Sequence, residues 1–195
     1  MTSAYTTLAA VKAAMRVTDS IDDDLIQSVI NAASARIDNA CNRVFAQSTG
    51  TRYYVANNTL SVPIDDLASS TVTIRLDGLQ DGSWNTTLTS AQYQLEPLNN
   101  LAQGRPVRTV RLLNSTYIPY SSERRATVSV QGTWGWPDVP AEITEATRLM
   151  VIRQFRRFDS PLGVAGFGDL GVINVRSIDP DIAALIAPFM LAAIA

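Results

Sequence analysis

The sequence holds few residues that could perform nucleophilic, acid–base or metal chemistry. Its 195 residues include no histidine and a single cysteine, Cys41. A serine or cysteine nucleophile therefore has no imidazole to take its proton, and neither a histidine-based metal site nor a cysteine-cluster zinc site can be built. A lone cysteine also forms no intramolecular disulfide. We expect no catalytic residue, no metal ligand and no cofactor, and we expect Cys41 to be a small buried hydrophobic residue.

Two runs of acidic residues could in principle supply paired carboxylates for hydrolysis. Asp22, Asp23 and Asp24 precede a helical pattern, where they complement the positive end of the helix dipole. Asp65 and Asp66 lie between segments with a strand pattern, and we assign them to a turn. We interpret both runs as solvated surface and predict that the protein is not an enzyme.

A glycine-rich apolar segment contains Gly163, Gly166, Gly168 and Gly171. A phosphate-binding P-loop needs a lysine that this segment lacks, and a dinucleotide-binding turn needs a strand before it and a helix after it. In this sequence a helical pattern precedes the glycines and a strand pattern follows them. We therefore interpret the segment as an arm that becomes ordered on contact with a partner.

The basic residues do not outnumber the acidic ones. Sixteen basic and eighteen acidic residues give a net charge of −2, which is not typical of a protein that binds nucleic acid by neutralising phosphates. We interpret Arg124–Arg125 and Arg156–Arg157 as ion-pairing residues. Arg156 and Arg157 are our candidates for ion pairs between subunits.

The tryptophans allow two interpretations. Trp134 and Trp136 lie at a strand-to-helix junction, where such residues are usually part of the core, and we favour that role. Alternatively, Trp84, Trp134 or Trp136 could form a stacking face for a carbohydrate or small ligand on a monomeric β-module, because indole rings stack well.

Hydrophobic periodicity divides the chain into helical and strand-forming parts. A first short helix can be capped by Thr6 or Thr7, and a third one begins at Pro140 and ends before Ser160. Between them, from about residue 51 to 133, apolar and polar residues alternate with a period of two. The second helix has apolar residues at three- and four-residue spacing: Leu25, Val29, Ala33, Ile37, Ala40 and Val44.

We predict an α+β fold, in which a helical bundle frame carries an inserted small antiparallel β-module and an extended C-terminal arm that ends in a helix. Residues 1–49 are the N-terminal helices of the bundle, 50–136 the β-module, 137–159 the third bundle helix, and 160–195 the glycine-rich arm with a short strand and a C-terminal docking helix. This last helix, capped by Asp179, is apolar nearly all round, so we expect it to pack on another subunit or partner. The candidate interface residues are Leu162, Val164, Phe167, Leu170, Val172, Ile182, Leu185, Ile186 and Phe189.

The chain carries no pattern that would direct it to a membrane. Its N-terminus lacks the basic and apolar regions of a secretory signal. Its most apolar stretch, residues 182–195, is shorter than the ~20 residues that span a bilayer and contains Pro188. We expect a soluble protein made in the cytoplasm.

Six stretches, spread over nearly the whole chain, resemble segments of a known protein family. They are YTTLAAVK (5–12), SARIDNAC (34–41), YQLEPLN (93–99), QGTWGWPDVP (131–140), RFDSPLG (157–163) and DPDIAALIAPF (179–189). In these stretches the sequence resembles the head-to-tail adaptor proteins, also called head completion or connector proteins, of long-tailed bacteriophages, especially those that infect actinobacteria.

The resemblance implies a structural virion protein of the head–tail junction, or neck, assembled in the host cytoplasm. Adaptors of this family form a ring, commonly of twelve subunits, that docks under the portal protein and extends the DNA channel. They offer an attachment surface to a stopper or tail-completion protein, and packaged DNA passes through the lumen without specific binding. The resemblance further implies that the bundle forms the ring and that the C-terminal arm docks on the portal.

Overall fold

The computed structural model describes residues 4–158 and 179–191, which divide into a helical unit and a β-unit. The helical unit draws on both ends of the chain, up to Arg43 and from Val139 onward, and the β-unit comprises Val44–Asp138. The predicted α+β fold, with helices and an antiparallel sheet, is confirmed.

The helical unit contains four α-helices among the described residues. They are α1 (Leu8–Met15), α2 (Asp23–Cys41), α3 (Ala141–Phe158) and α4 (Pro180–Ile186), and a 3₁₀ turn at Ala187–Phe189 follows α4.

Local capping explains where the helices begin and end. The Thr7 hydroxyl accepts a hydrogen bond from the backbone N–H of Ala10 at 3.1 Å, and the Asp179 carboxylate accepts one from the N–H of Asp181 at 3.0 Å. Both caps agree with the sequence-based prediction. Arg16 and Asn42 take left-handed conformations that end α1 and α2, as is common at helix C-termini.

The buried face of α2 differs from the predicted stripe. Leu25 is 39% exposed and Val44 51% exposed, so their assignment to the stripe is wrong. Spacing alone leaves the rotational phase of a helix open, and Ile26 occupies the inward position instead of Leu25; Val44 lies beyond the end of the helix. The residues buried on α2 are Ile26, Val29, Ile30, Ala33, Ser34, Ile37 and Cys41.

The β-unit consists of seven strands that pair in an antiparallel manner. They are β1 (Ser48–Tyr54), β2 (Ser61–Leu67), β3 (Thr73–Leu76), β4 (Thr86–Thr87), β5 (Tyr93–Glu96), β6 (Val107–Leu112) and β7 (Val128–Trp134). The sheet order is β4-β3-β7-β2-β6-β5, and β1 pairs with β7 along its whole length.

The acidic pair Asp65–Asp66 lies within β2, so its assignment to a turn is wrong. Asp65 is exposed, whereas Asp66 takes the inward position that continues the alternation of Val62 and Ile64. The Asp66 carboxylate lies 3.6 Å from Nε of Arg108. A charge at an inward position breaks the alternation of apolar and polar residues by which strands are identified, and for this reason the pair was assigned to a turn.

Trp134 and Trp136 are core residues, as predicted. Trp134 is 1% exposed, its indole N–H donates to the carbonyl of Gly50 at 2.8 Å, and the Arg52 guanidinium lies over its ring at 4.5 Å. Trp136 packs against Phe45, with 5.5 Å between ring centroids. The two indoles therefore anchor the end of β7 inside the protein.

Gly135, between the two tryptophans, can only be glycine. Its φ is +105°, and a Cβ added there would lie 2.3 Å from the carbonyl oxygen of Ala46. Both the backbone conformation and the close approach exclude a side chain.

We expect Gly135→Ala to lower the free energy of unfolding by about 2 kcal/mol or more, because the new methyl group meets backbone atoms in a strained conformation. Gly50→Ala is the matched control, since a Cβ at Gly50 meets no atom within 4 Å; it should change stability by about 0.5 kcal/mol or less. Urea denaturation measures both. Equal effects of the two substitutions would contradict this account of Gly135.

Candidate assembly surfaces

Three of the five acidic residues considered above for paired-carboxylate chemistry, Asp23, Asp65 and Asp66, form ion pairs within the fold. Asp65 accepts hydrogen bonds from Arg52 at 2.7 Å and from the Tyr54 hydroxyl at 3.0 Å. Asp23 pairs with Lys12, the only lysine of the chain. Within residues 4–158 and 179–191, no group of three or more His, Cys, Asp or Glu side chains is placed to hold a metal ion.

No helix among the described residues combines the length and apolar character needed to cross a membrane.

Cys41 is a fully buried thiol at the end of α2. Burial is the main cause that raises its pKa from 9.0 to about 11; the nearby Arg43 lowers it and Asp38 raises it further. A thiolate is the reactive form of cysteine, so both access and ionisation are suppressed. The prediction that Cys41 is a small buried hydrophobic residue is confirmed.

The C-terminal helix α4 uses part of its apolar surface within the chain. Ile182 and Ile186 are 3% and 2% exposed, because α4 packs on α3. Leu185 and Phe189 are half-buried. The remaining interface candidates, which are Leu162, Val164, Phe167, Leu170 and Val172, lie outside the described residues.

The segment that contains α4 is held at both of its ends. Arg153 of α3 forms ion pairs with Asp179 and Asp181 at the start of α4. Beyond α4, the backbone N–H of Leu191 donates to the carbonyl of Cys41 at 3.0 Å, and Arg43 donates to the carbonyl of Phe189 at 3.2 Å. The face of α4 that carries Ile182 and Ile186 is therefore part of the core of the helical unit.

Arg156 and Arg157 are exposed on the last turn of α3. Neither forms an ion pair with another residue in the part of the chain that the structure describes. In the other predicted ion-pairing cluster, Arg125 pairs with Glu123 at 2.9 Å. The two α3 arginines are thus among the exposed charges that an adjacent molecule can meet.

The tryptophans offer little support for a stacking face. Trp134 and Trp136 are buried, which overturns their part in the alternative hypothesis. Trp84 is half-buried and contacts Tyr53, with 5.1 Å between ring centroids. The exposure of three tyrosines in the β-unit, Tyr53, Tyr117 and Tyr120, was not predicted from the sequence. Tyr117 and Tyr120 lie in a long stretch rich in turn-forming residues, which is the one feature of the sequence that indicates a surface position for them.

Comparison with known protein families gives a match to the N-terminal part of the chain. Residues 5–77 match the model of a family described as phage gp6-like head-tail connector protein. This part of the chain is similar to phage head-tail connector proteins. The match covers α1, α2 and the first three strands, and so includes parts of both units.

Solved structures share the fold of this chain over nearly its whole length. Three of them cover 96% of this chain: "Neck of empty GTA particle computed with C6 symmetry" (15% identity, TM-score 0.56, 90% of that chain), "Virion of native gene transfer agent (GTA) particle" (18%, 0.54, 90%) and "Neck of native GTA particle computed with C12 symmetry" (19%, 0.53, 92%). At these identities the likeness concerns the fold. No curated protein sequence matches this chain.

We expect Cys41 in the folded protein to resist thiol reagents, because its raised pKa leaves about 100-fold less thiolate at pH 8 than an ordinary cysteine has. Ellman's reagent should detect one thiol per chain in guanidinium chloride and almost none in native buffer. Above pH 9 the unfolded chain releases this proton first, so stability should fall as the pH rises towards 11. Rapid stoichiometric labelling of native protein would contradict the assignment.

We expect Arg153→Met to lower the free energy of unfolding by roughly 1 kcal/mol, because the two carboxylates that begin α4 lose their partner. Arg75→Met is the matched control, since Arg75 is exposed on β3 and forms no ion pair with a described residue; it should be neutral within about 0.5 kcal/mol. Urea denaturation compares the two. Indistinguishable midpoints would show that the ion pairs do not hold α4.

Proposed function

We propose that this protein is a head-tail connector that assembles into a ring of twelve subunits, which docks under the portal protein of the filled head. The ring extends the DNA channel and offers its other side to a stopper or tail-completion protein. The match of residues 5–77 to the head-tail connector family carries the proposal. It is supported by the fold shared with chains from necks computed with C6 and C12 symmetry.

The charge of the chain supports a channel through which DNA passes without specific binding. A protein that binds DNA tightly neutralises phosphates with an excess of lysine and arginine. This connector has the opposite balance, with a net charge of −2. Subunits of this composition therefore carry no overall basic excess that would retain the packaged DNA.

Arg156 and Arg157 are the proposed ion-pairing residues between neighbouring subunits. Their guanidinium groups are exposed at the end of α3 and have no ion-pair partner among the described residues. Arginine suits such contacts because its planar group binds carboxylates in a bidentate manner. In a ring, an acidic surface of the adjacent subunit would complete these pairs.

Docking on the portal is proposed for the arm that precedes α4 together with the half-buried side chains of Leu185 and Phe189. Because Ile182 and Ile186 are already covered within the chain, they would support the docking surface from beneath. The apolar side chains of the arm are included in this docking surface on the basis of the sequence alone: Leu162, Val164, Phe167, Leu170 and Val172.

Native mass spectrometry of the full-length connector, alone and mixed with purified portal rings, tests the proposal. We expect a ring of connector subunits or a connector–portal complex. The double substitution Arg156→Glu and Arg157→Glu should reduce ring formation at least tenfold, because it reverses the charges at the subunit contact.

Arg75→Glu provides the control, since Arg75 is exposed on β3 and forms no ion pair with a described residue. A connector that stays monomeric in the presence of portal rings would refute the proposed function. A double variant that forms rings as well as the control would refute the role of the two arginines alone.

A further inference from the structure

One end of the β-unit carries most of the large hydrophobic side chains that the described residues expose. It is the end where β1 and β3 stop and β7 begins, and it consists of residues 53–60, 77–85 and 113–127; we call it the loop end. Six of the eleven exposed large hydrophobic residues lie there: Tyr53, Val55, Leu60, Leu79, Tyr117 and Tyr120.

Hydrogen bonds between the loops hold the loop end together. The backbone N–H of Ile118 donates to the carbonyl of Thr59 at 2.7 Å. The Gln80 side chain donates to the carbonyl of Tyr120 at 2.8 Å, and Arg125 donates to the carbonyl of Gln80 at 2.9 Å. Each loop is thus hydrogen-bonded to another loop, and these bonds hold the backbone that carries the exposed side chains.

The loop end also collects unusual backbone conformations. Outside the helix caps, the described non-glycine residues with positive φ are Gln80, Trp84, Asn114, Ser115 and Arg124, and all of them lie in these loops. A bulky residue such as Trp84, at a φ of 47°, rarely adopts this region. Such conformations cluster at binding surfaces, where the surrounding structure holds them in place.

The charges of the loop end argue against DNA as its partner. The loops contain three acidic residues, Asp77, Asp81 and Glu123, and two basic ones, Arg124 and Arg125. Arg125 is already paired with Glu123. A surface for phosphates needs a basic excess that is missing here. A surface rich in tyrosine and poor in net charge is instead typical of the central part of a protein–protein interface.

The exposed area is large enough for specific docking. Together the six side chains expose on the order of 600 Å², which is the upper end of the largest apolar patches on single proteins. It approaches the ~800 Å² that each partner contributes to an interface of standard size.

We infer that the loop end is a docking surface for a second, different protein of the head–tail junction, one that presents an apolar surface without net charge. This inference rests on the proposed function. Contact between the loop ends of two copies would be isologous and would close at a dimer. The ring contacts of the proposed function lie instead on the helical unit, at Arg156 and Arg157, which leaves the loop end for a different protein.

A photoreactive amino acid tests the inference in assembled particles. Benzoylphenylalanine replaces Leu79 of the loop end or, as the matched control, Leu98 in the connection between β5 and β6. The two leucines are 70% and 68% exposed, so they differ in place and not in accessibility. We expect position 79 to cross-link to a different polypeptide at least fivefold more than position 98. Cross-linking to another copy of the connector, or no excess over position 98, would overturn the inference.

Charged substitutions separate this inference from the proposed function. Leu79→Asp and Leu98→Asp should both form rings as the wild type does, as measured by native mass spectrometry, because neither side chain is buried in the chain. Only Leu79→Asp should reduce the joining of heads to tails, by at least tenfold. If both variants form rings and join tails equally, the loop-end inference fails and the ring proposal stands. If the wild type forms no ring, the ring proposal itself fails.

Discussion

The pairing of β7 is the interaction on which the β-unit depends. Along one side β7 bonds to the whole of β1, and along the other it bonds first to β3 and then, at Trp134, to the end of β2. At its start, Val128 lies opposite both Tyr54 and Leu76. Because these two residues end their strands, a single position of β7 places the loops that follow β1 and β3 side by side. The loop end is therefore a consequence of strand register.

The far end of β7 is fixed by a different means. Trp134 and Trp136 point into the protein, and Gly135 between them takes a conformation that allows its backbone to approach Ala46 closely. Two large indoles resist any shift of the strand by one residue, because such a shift would turn Trp134 away from the core. The register that builds the loop end is thus secured at the opposite end of the same strand.

Features that follow from local rules could be predicted from the sequence. Thr7 and Asp179 cap their helices because short polar side chains satisfy free N–H groups, and Cys41 is buried without a partner that could activate it. Leu25 was misassigned because periodicity does not determine which of two adjacent residues faces inward. The acidic pair in β2 and the tyrosines of the loop end depend on pairing between distant segments, which composition and spacing do not reveal.

Under the proposed function, the helical unit and the loop end would associate with their partners through different forces, and this has a consequence for assembly. Ion pairs that exposed arginines such as Arg156 and Arg157 form with acidic groups weaken as the salt concentration increases, since dissolved ions screen charges over about 10 Å. Contacts between apolar side chains such as Leu79 and Tyr120 are insensitive to such screening, and kosmotropic salts strengthen them. A ring held by charges can therefore be assembled or dissolved without altering the loop end. Under the proposed function, subunit association and the binding of the next protein are separable steps, because each uses a surface that the other leaves untouched.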